Sequence, residues 1–251
     1  MSSGDFDYET HGHGYAHIRR PDPRIATLIH DALGDARTVL NLGAGAGSYE
    51  PADRHVTAVE PAATMRAQRP PSAAPAINAT AEHLPFDDNT FDAAMATVTV
   101  HQWRDLDRGL AELRRVTRGT IVILTFDGDA LDRFWLAAYA PELIAVERRR
   151  YPAIASLAAA IGHSTEVVEV PVPIDCVDGF TEAFYARPEA FLDDRVRAAQ
   201  SAWGFITPEA TQRAVAHLRH DLTTGEWDRA YATWRTQPSF RGSLRLLTGR
   251  S

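Results

Sequence analysis

The stretch that most constrains this chain runs from Val39 to Gly47 and reads Val-Leu-Asn-Leu-Gly-Ala-Gly-Ala-Gly. Its apolar first half predicts a buried strand, and the glycines after it can adopt a positive φ and let a ligand approach the backbone. A second apolar run, at residues 56–59, ends in Glu60. This pattern, two strands joined through a glycine turn with an acid after the second, is typical of a nucleoside site. In such a site Glu60 would accept hydrogen bonds from both ribose hydroxyls.

The glycine spacing favours a nucleoside without phosphates. The dinucleotide fingerprint G-x-G-x-x-G needs a glycine where this chain has Ser48. A phosphate-binding loop needs Gly-Lys-Ser or Gly-Lys-Thr, which the stretch lacks. A nicotinamide-dependent oxidoreductase is therefore the disfavoured alternative, and the chain also lacks a Tyr-x-x-x-Lys pair.

Three motifs, taken together, resemble those of a known protein family. Residues 41–47, 58–61 and 81–92 follow one another at matching spacing and resemble class I S-adenosylmethionine (SAM)-dependent methyltransferases, with the ubiquinone/menaquinone C-methyltransferase-like group nearest. The resemblance covers roughly residues 8–126. It implies SAM as the cofactor, methyl transfer as the activity, and an α/β fold with a Rossmann-like, seven-stranded, mostly parallel sheet that has helices on both faces.

The motifs and the resemblance together assign a set of residues to the cofactor. The N-terminal segment of such proteins folds over the cofactor, so Tyr15 and Arg20 are expected at its methionine end, where Arg20 can pair with the carboxylate. Met65 is expected either against the adenine or in the ordinary core, and the backbone at Ala81 against the same ring. The full set is Tyr15, Arg20, Gly43, Gly45, Gly47, Glu60, Pro61, Met65, Ala81, Glu82 and Thr97.

Three positions depart from the family pattern. Asn41 stands where the first motif usually has an acid, which puts an electrostatic contact to the cofactor's ammonium group in doubt. Thr80 stands where an aspartate often holds the adenine amino group. Only residues 49–55 remain between the glycine turn and the second strand, so the usual crossover helix is expected to shrink to about one turn.

Alternation of apolar runs and amphipathic segments predicts a parallel sheet covered by helices. The carboxyl ends of its strands meet at one edge, so the glycine turn, Glu60 and the loops from Thr80 and Thr97 are expected in one crevice. Asp22 is expected to cap a helix whose buried face carries Ile25, Leu28, Ile29 and Leu33. Strands are predicted at 38–42, 56–59, 75–78, 91–98, 120–126, 165–172 and 243–248, and helices at 62–68, 105–116, 131–139 and 154–161.

The last two predicted strands are separated by about 70 residues, where the family has a short connection. The intervening residues 175–242, here called the insertion, contain five of the ten phenylalanines and three of the five tryptophans. They predict a helical cap, with Pro208–Thr223 and Glu226–Trp234 its clearest helices, within a single domain whose core spans 21–174 and 243–251 after an N-terminal arm, 1–20. Its aromatics are expected mostly in the cap core, with Phe184, Tyr185, Trp203 and Phe205 the candidates for a substrate pocket.

His101 is the candidate catalytic base. It follows the fourth predicted strand, where the site of methyl transfer should open, and imidazole titrates near neutral pH. The alternative is a structural histidine bonded to backbone. His11, His13 and His17 fit no standard set of metal ligands, so no metal site is expected.

Composition restricts the classes of binding partner and the cellular location that can be expected. The formal net charge of −7 argues against a nucleic acid or an anionic membrane and leaves a small-molecule substrate. The lone cysteine, Cys176, excludes an internal disulfide, and no apolar run suits a signal peptide or a membrane span, so a cytoplasmic protein is expected. A non-catalytic SAM-binding regulator remains the second alternative.

Overall fold

The computed structural model of the chain describes residues 15–162 and 164–250, and these contain a seven-stranded sheet and a separate two-stranded one. The strands are β1 (Thr38–Leu42), β2 (His55–Val59), β3 (Ala76–Ile77), β4 (Phe91–Thr97), β5 (Thr117–Phe126), β6 (Glu166–Glu169), β7 (Val172–Pro173), β8 (Ser239–Phe240) and β9 (Leu244–Arg250). The larger sheet has the order β3-β2-β1-β4-β5-β9-β6, and β7 pairs with β8. Strands β1 to β5 are parallel, and β9 is antiparallel to both its neighbours, which confirms the predicted seven-stranded, mostly parallel sheet.

The helices follow the predicted alternation through the first half of the chain. They are α1 (Tyr15–Ile18), α2 (Pro23–Ala32), α3 (Ala63–Arg66), α4 (Leu106–Val116), α5 (Pro141–Arg150), α6 (Ile154–Ile161), α7 (Asp194–Ala198), α8 (Pro208–Thr224) and α9 (Glu226–Tyr231). Short 3-10 turns lie at Val100–Gln102, Gly128–Arg133, Trp135–Ala138, Thr181–Phe184, Pro188–Leu192, Ser201–Phe205 and Ala232–Arg235. No helix in the described part of the chain is long and apolar enough to cross a membrane.

Both faces of the large sheet are covered. On β1, Val39 joins one apolar cluster and Leu40 the other, and on β5 Val122 and Ile121 divide in the same way. All four side chains are fully buried. A parallel strand buried on both faces reads as a continuous apolar run, because neither face meets water.

Three sequence predictions need correction. Leu28 is exposed, whereas Ile25, Ile29 and Leu33 are buried, so the inner face of α2 is narrower than predicted. The predicted helix at 131–139 is a pair of 3-10 turns, and the predicted strand at 165–172 is divided between β6 and β7. The sequence analysis also missed α5, which buries Leu143, Ile144, Val146, Glu147 and Arg150.

The crossover from β1 to β2 contains turns and no helix over residues 43–54, as its shortness predicted. Tyr49 fills the space with a buried side chain whose hydroxyl donates to Asp178 at 2.7 Å. Arg19 Nε donates to the same carboxylate at 2.6 Å, and Gly179 N donates to Ile18 O at 3.0 Å. Through these contacts, the insertion binds both the segment before α2 and the crossover from β1 to β2.

Candidate functional site

The glycine loop after β1 has the backbone that its sequence predicts. Gly43, Gly45 and Gly47 have φ angles of +70°, +51° and +95°. Gly43 N and Ala44 N donate to Val59 O at 2.9 Å, which holds the loop against the end of β2. A Cβ on Gly43 would overlap with the side chain of Thr99, which lies in the loop after β4. The structure therefore brings three strand ends together at this loop.

Glu60 lies directly after β2 and faces this loop. Its Oε2 accepts a hydrogen bond from Gly45 N at 2.9 Å and its Oε1 one from Ala62 N at 2.8 Å. Burial raises the pKa of the Glu60 carboxyl, and the two backbone donors and nearby Arg66 and Arg69 oppose that rise. Each oxygen can still accept a further hydrogen bond, as a ribose diol would require.

Two further residues of the predicted cofactor set, Pro61 and Met65, follow Glu60. Met65 is buried on α3, and its Cε lies 3.3 Å from where a Cβ on Gly45 would be. Pro61 is exposed, and its carbonyl accepts from Arg66 Nη1 at 2.7 Å. Met65 therefore forms the inner wall beside the glycine loop, and Pro61 lies at its rim.

The next two loops at this edge contain Ala81, Glu82 and Thr97. Ala81 and Glu82 are buried, and Glu82 Oε1 accepts from Arg104 N at 2.8 Å and Asp105 N at 3.2 Å. The carboxylate of Glu82 thus ties this loop to the start of α4. Thr97 ends β4 and is half-buried.

The predicted contacts from the N-terminal segment are only partly described. The side chain of Tyr15 lies outside the described residues, as do His11 and His13, and Arg20 is exposed. Its neighbour Arg19 instead has a half-buried side chain that pairs with Asp178 and lines the cavity described below.

Glu50 places a carboxylate beside Asn41, the position at which the first motif usually has an acid. Asn41 is fully buried, and its Nδ2 donates to Glu50 Oε1 at 2.9 Å. Arg69 Nη2 lies 2.9 Å from both oxygens of Glu50. Asn41 Oδ1 has no hydrogen-bond partner within the described part of the chain. A carboxylate is therefore present beside the glycine loop, although the first motif lacks one.

A cavity with an empty volume of about 620 Å³, including its mouth, opens at the carboxyl ends of β4 and β5. Val98 directly follows β4 and has a φ of +52°, and Phe126 ends β5. The walls are mainly apolar and aromatic, and the strand ends place them at the same sheet edge as the glycine loop. The apolar lining consists of Val98, Phe126, Leu131, Phe134, Leu143, Ile144, Phe180 and Ala202.

His101 lines this cavity from the 3-10 turn after β4. Its side chain is buried, and its ring centroid lies 4.7 Å from that of Tyr151. Burial lowers the pKa of His101 well below its usual value, and the charges of Arg150 and Arg19 lower it further. Nδ1 has no hydrogen-bond partner among the described residues, so no carboxylate there orients the ring.

Comparison with known proteins agrees with this geometry. Residues 40–123 match the model of the methyltransferase domain family. The chain is 28% identical to a protein from Anabaena variabilis ATCC 29413 assigned as a methyltransferase of an antibiotic biosynthesis pathway, with a TM-score of 0.85 over 92% of this chain and 98% of that one. Residues 40–123 form a SAM-dependent methyltransferase domain. SAM is its cofactor, and the predicted fold and activity class are confirmed.

Two other relatives are more distant. Geranyl diphosphate C-methyltransferase from Streptomyces coelicolor A3(2), solved with geranyl diphosphate and S-adenosyl-L-homocysteine (SAH), has a TM-score of 0.50 and 14% identity, over 91% of this chain and 78% of that one. A demethylmenaquinone methyltransferase from Thermobifida fusca (strain YX) is 50% identical over 46 residues. That match spans 18% of this chain and 20% of the relative, so it does not extend to the whole protein.

The cavity also contains charged groups that the sequence analysis missed. Glu147 pairs with Arg150 at 2.6 Å, and Glu182 lies in the insertion. Burial raises the pKa of both carboxyl groups, that of Glu182 to about 7. The signal for α5 was available: Pro141 suits a helix start, and Leu143, Glu147 and Arg150 recur at helical spacing.

The aromatic residues predicted to form the pocket lie outside the cavity wall. Tyr185 is fully buried and donates to Gln237 O at 2.6 Å, and Trp203 Nε1 donates to Gln200 Oε1 at 3.2 Å. Phe184 packs on Phe191, and Phe205 lies under Arg150. In the described part of the chain none of the four predicted residues lines the cavity. Phe184, Tyr185 and Trp203 belong to the buried apolar core, whereas Phe205 is half-buried against Arg150. The insertion lines the cavity with Phe180, Thr181, Glu182, Gln200, Ser201 and Ala202.

Proposed function

We propose that this protein transfers the methyl group of SAM to a small, apolar or aromatic metabolite. The observation that carries the proposal is the largely apolar cavity at the carboxyl ends of β4 and β5. Parallel strands place it at the same sheet edge as the glycine loop and Glu60. A methyl acceptor in the cavity would thus be next to the cofactor site.

The residues at the glycine loop fit SAM. Gly43 and Gly45 leave backbone free of side chains where Thr99 and Met65 already fill the adjacent space. Glu60 has acceptor capacity for a ribose diol, and Glu50 with Asn41 provides acceptors for an ammonium group. The cofactor would supply an electrophilic methyl group on a sulfonium sulfur. Tyr15, Arg20, Pro61, Ala81, Glu82 and Thr97 complete the proposed cofactor site.

The protein's own contribution is to orient the acceptor and exclude water, since methyl transfer is an in-line displacement. The buried, aromatic walls support that role. His101 is the proposed catalytic residue: its lowered pKa keeps the imidazole neutral near pH 7, and its unpartnered Nδ1 can accept a hydrogen bond from the methyl acceptor.

The insertion is proposed to set the choice of acceptor. It contributes Phe180, Gln200 and Ala202 to the cavity, whereas the glycine loop and Glu60 precede it in the chain. Phe180→Ala should therefore change which acceptors are methylated and leave SAH affinity unchanged. Trp227→Ala is the control for stability, because Trp227 is fully buried and does not line the cavity.

Two measurements test the proposal. Calorimetry should show binding of SAM and SAH and none of NADH. Incubation with methyl-labelled SAM and an extract of small metabolites should then yield a labelled organic product. Cofactor binding without any labelled product would favour the non-catalytic SAM-binding alternative, and NADH binding in place of SAM would contradict the proposal. The cytoplasmic location and the lack of nucleic-acid or membrane partners stay predictions.

A further inference from the structure

The two carboxylates that line the cavity are partnered differently. Glu147 is neutralised by Arg150, whose Nη1 lies 2.6 Å from Glu147 Oε1. Glu182 is 1% exposed, and Ser243 N donates to each of its oxygens at 3.0 Å. Within residues 15–162 and 164–250, no arginine or histidine forms an ion pair with Glu182. The cavity thus contains one carboxylate without an ion-pair partner among these residues, and the charge of Arg245 acts on it from beyond ion-pair distance.

Gly242 makes room for this carboxylate. A Cβ on Gly242 would lie 2.5 Å from Glu182 Oε1 and 2.6 Å from Oε2, which is closer than such atoms pack. The chain therefore turns tightly around Glu182 just before β9 begins. This packing and the Ser243 hydrogen bonds fix the position of the carboxylate in the cavity wall.

A buried carboxylate is costly unless it is hydrogen-bonded or paired, and each oxygen of Glu182 can accept more than the bond from Ser243 N. We propose that Glu182 accepts a hydrogen bond from a hydroxyl group of the methyl acceptor. The acceptor is then an apolar ring or chain that carries a hydroxyl. This inference rests on the proposed function, since it names the substrate class of the same cavity.

Glu182 itself favours a neutral hydroxyl over a charged group. Arg19 lines the same cavity, but Asp178 already pairs with it, and Glu182 disfavours a carboxylate. Burial raises the pKa of Glu182 to about 7, so both of its protonation states are populated near neutral pH. A hydroxyl can donate to the ionised form and accept from the protonated form, which an ammonium group cannot do.

Matched probes test this recognition. The affinities of 1-naphthol and 1-methoxynaphthalene are measured by calorimetry on SAH-saturated protein; the two differ in that the ether cannot donate a hydrogen bond. The parent should prefer 1-naphthol roughly tenfold or more, as expected for a hydrogen bond to a charged group. Glu182→Gln should lose most of this preference, and Glu147→Gln, the matched control, should keep it.

Glu182→Asp is a second variant in case Glu182→Gln does not fold, because it withdraws the carboxylate by one methylene while keeping its charge, and it should also lose the preference. SAH affinity, measured first, separates the two proposals: a parent that does not bind SAH contradicts the proposed function. A parent that binds SAH but does not prefer 1-naphthol, or binds neither probe, overturns the role of Glu182. An equal loss in Glu147→Gln overturns it too, since the effect would be one of general charge.

Discussion

Gly43 and Thr99 are in contact across two loops: a Cβ on Gly43 would overlap with Oγ1, Cβ and Cγ2 of Thr99. The contact joins the glycine loop after β1 to the loop after β4, which carries His101 two residues later. The cofactor loop and the cavity wall are therefore one packed unit. A substitution in either loop should therefore alter the packing of the other.

Gly43→Ala should lower stability and SAH affinity together. The φ of +70° alone costs an alanine about 1–2 kcal/mol, and the overlap with Thr99 adds to that. Gly34→Ala is the matched control, since Gly34 has a φ of +58° and a Cβ placed there would have no described atom within 4 Å. Urea unfolding and SAH calorimetry compare the two, and equal losses of stability would contradict the packed unit.

Glu60→Ala should weaken SAH binding more than any other single acidic substitution. The ribose diol would lose an acceptor worth roughly 1.5–3 kcal/mol. Glu112→Ala serves as the control, because Glu112 is engaged with Leu84 N and Arg115 on α4. An unchanged SAH dissociation constant in Glu60→Ala would remove Glu60 from the cofactor site.

SAH affinity should also fall as the pH is lowered. Protonation removes an acceptor from Glu60, and burial raises the pKa of Glu60, so the loss should begin at a higher pH than for an exposed glutamate. Titration calorimetry at several pH values measures this, with Glu60→Gln as the control that has no such ionisation. The same pH dependence in both proteins would assign it to another group.

His101 should stay neutral over the range in which most histidines titrate, about pH 5 to 8. Its pKa is lowered by burial and by the charges of Arg150 and Arg19. NMR of protein with labelled histidines, assigned by comparison with His101→Asn, reports the ring's protonation. A midpoint near 6.5 would show that water reaches the ring, contrary to the buried position in the structure.

Glu182→Gln should gain stability relative to the parent as pH rises. The folded-state pKa of about 7 lies above the ordinary glutamate pKa of 4.5, so the parent protein loses stability between those values, because the unfolded chain releases a proton that the folded protein still binds. The loss is on the order of 3 kcal/mol at most, and neutral glutamine does not incur it. Urea unfolding at acidic and alkaline pH measures the difference, and a difference that does not change with pH would contradict the buried ionisation.

The sequence by itself determined the strand and the glycine loop of the proposed cofactor site. Val39–Leu42 and Gly43–Gly47 specify a buried strand and a left-handed loop locally, because burial on both faces and positive φ each restrict the residue types allowed. The predicted strand 38–42 and helix 154–161 agree with β1 and α6 to the residue. Such features need only near neighbours in the chain.

Only the tertiary structure decided which residues line the cavity proposed for the methyl acceptor. Glu147, Tyr151 and Glu182 meet His101 in one cavity although they lie 46 to 81 positions further along the chain. Three of the four predicted pocket aromatics, Phe184, Tyr185 and Trp203, instead belong to the buried core. An aromatic ring is equally suited to a core and to a pocket wall, and only the packing of the insertion on β5 and α5 selects which rings face the cavity.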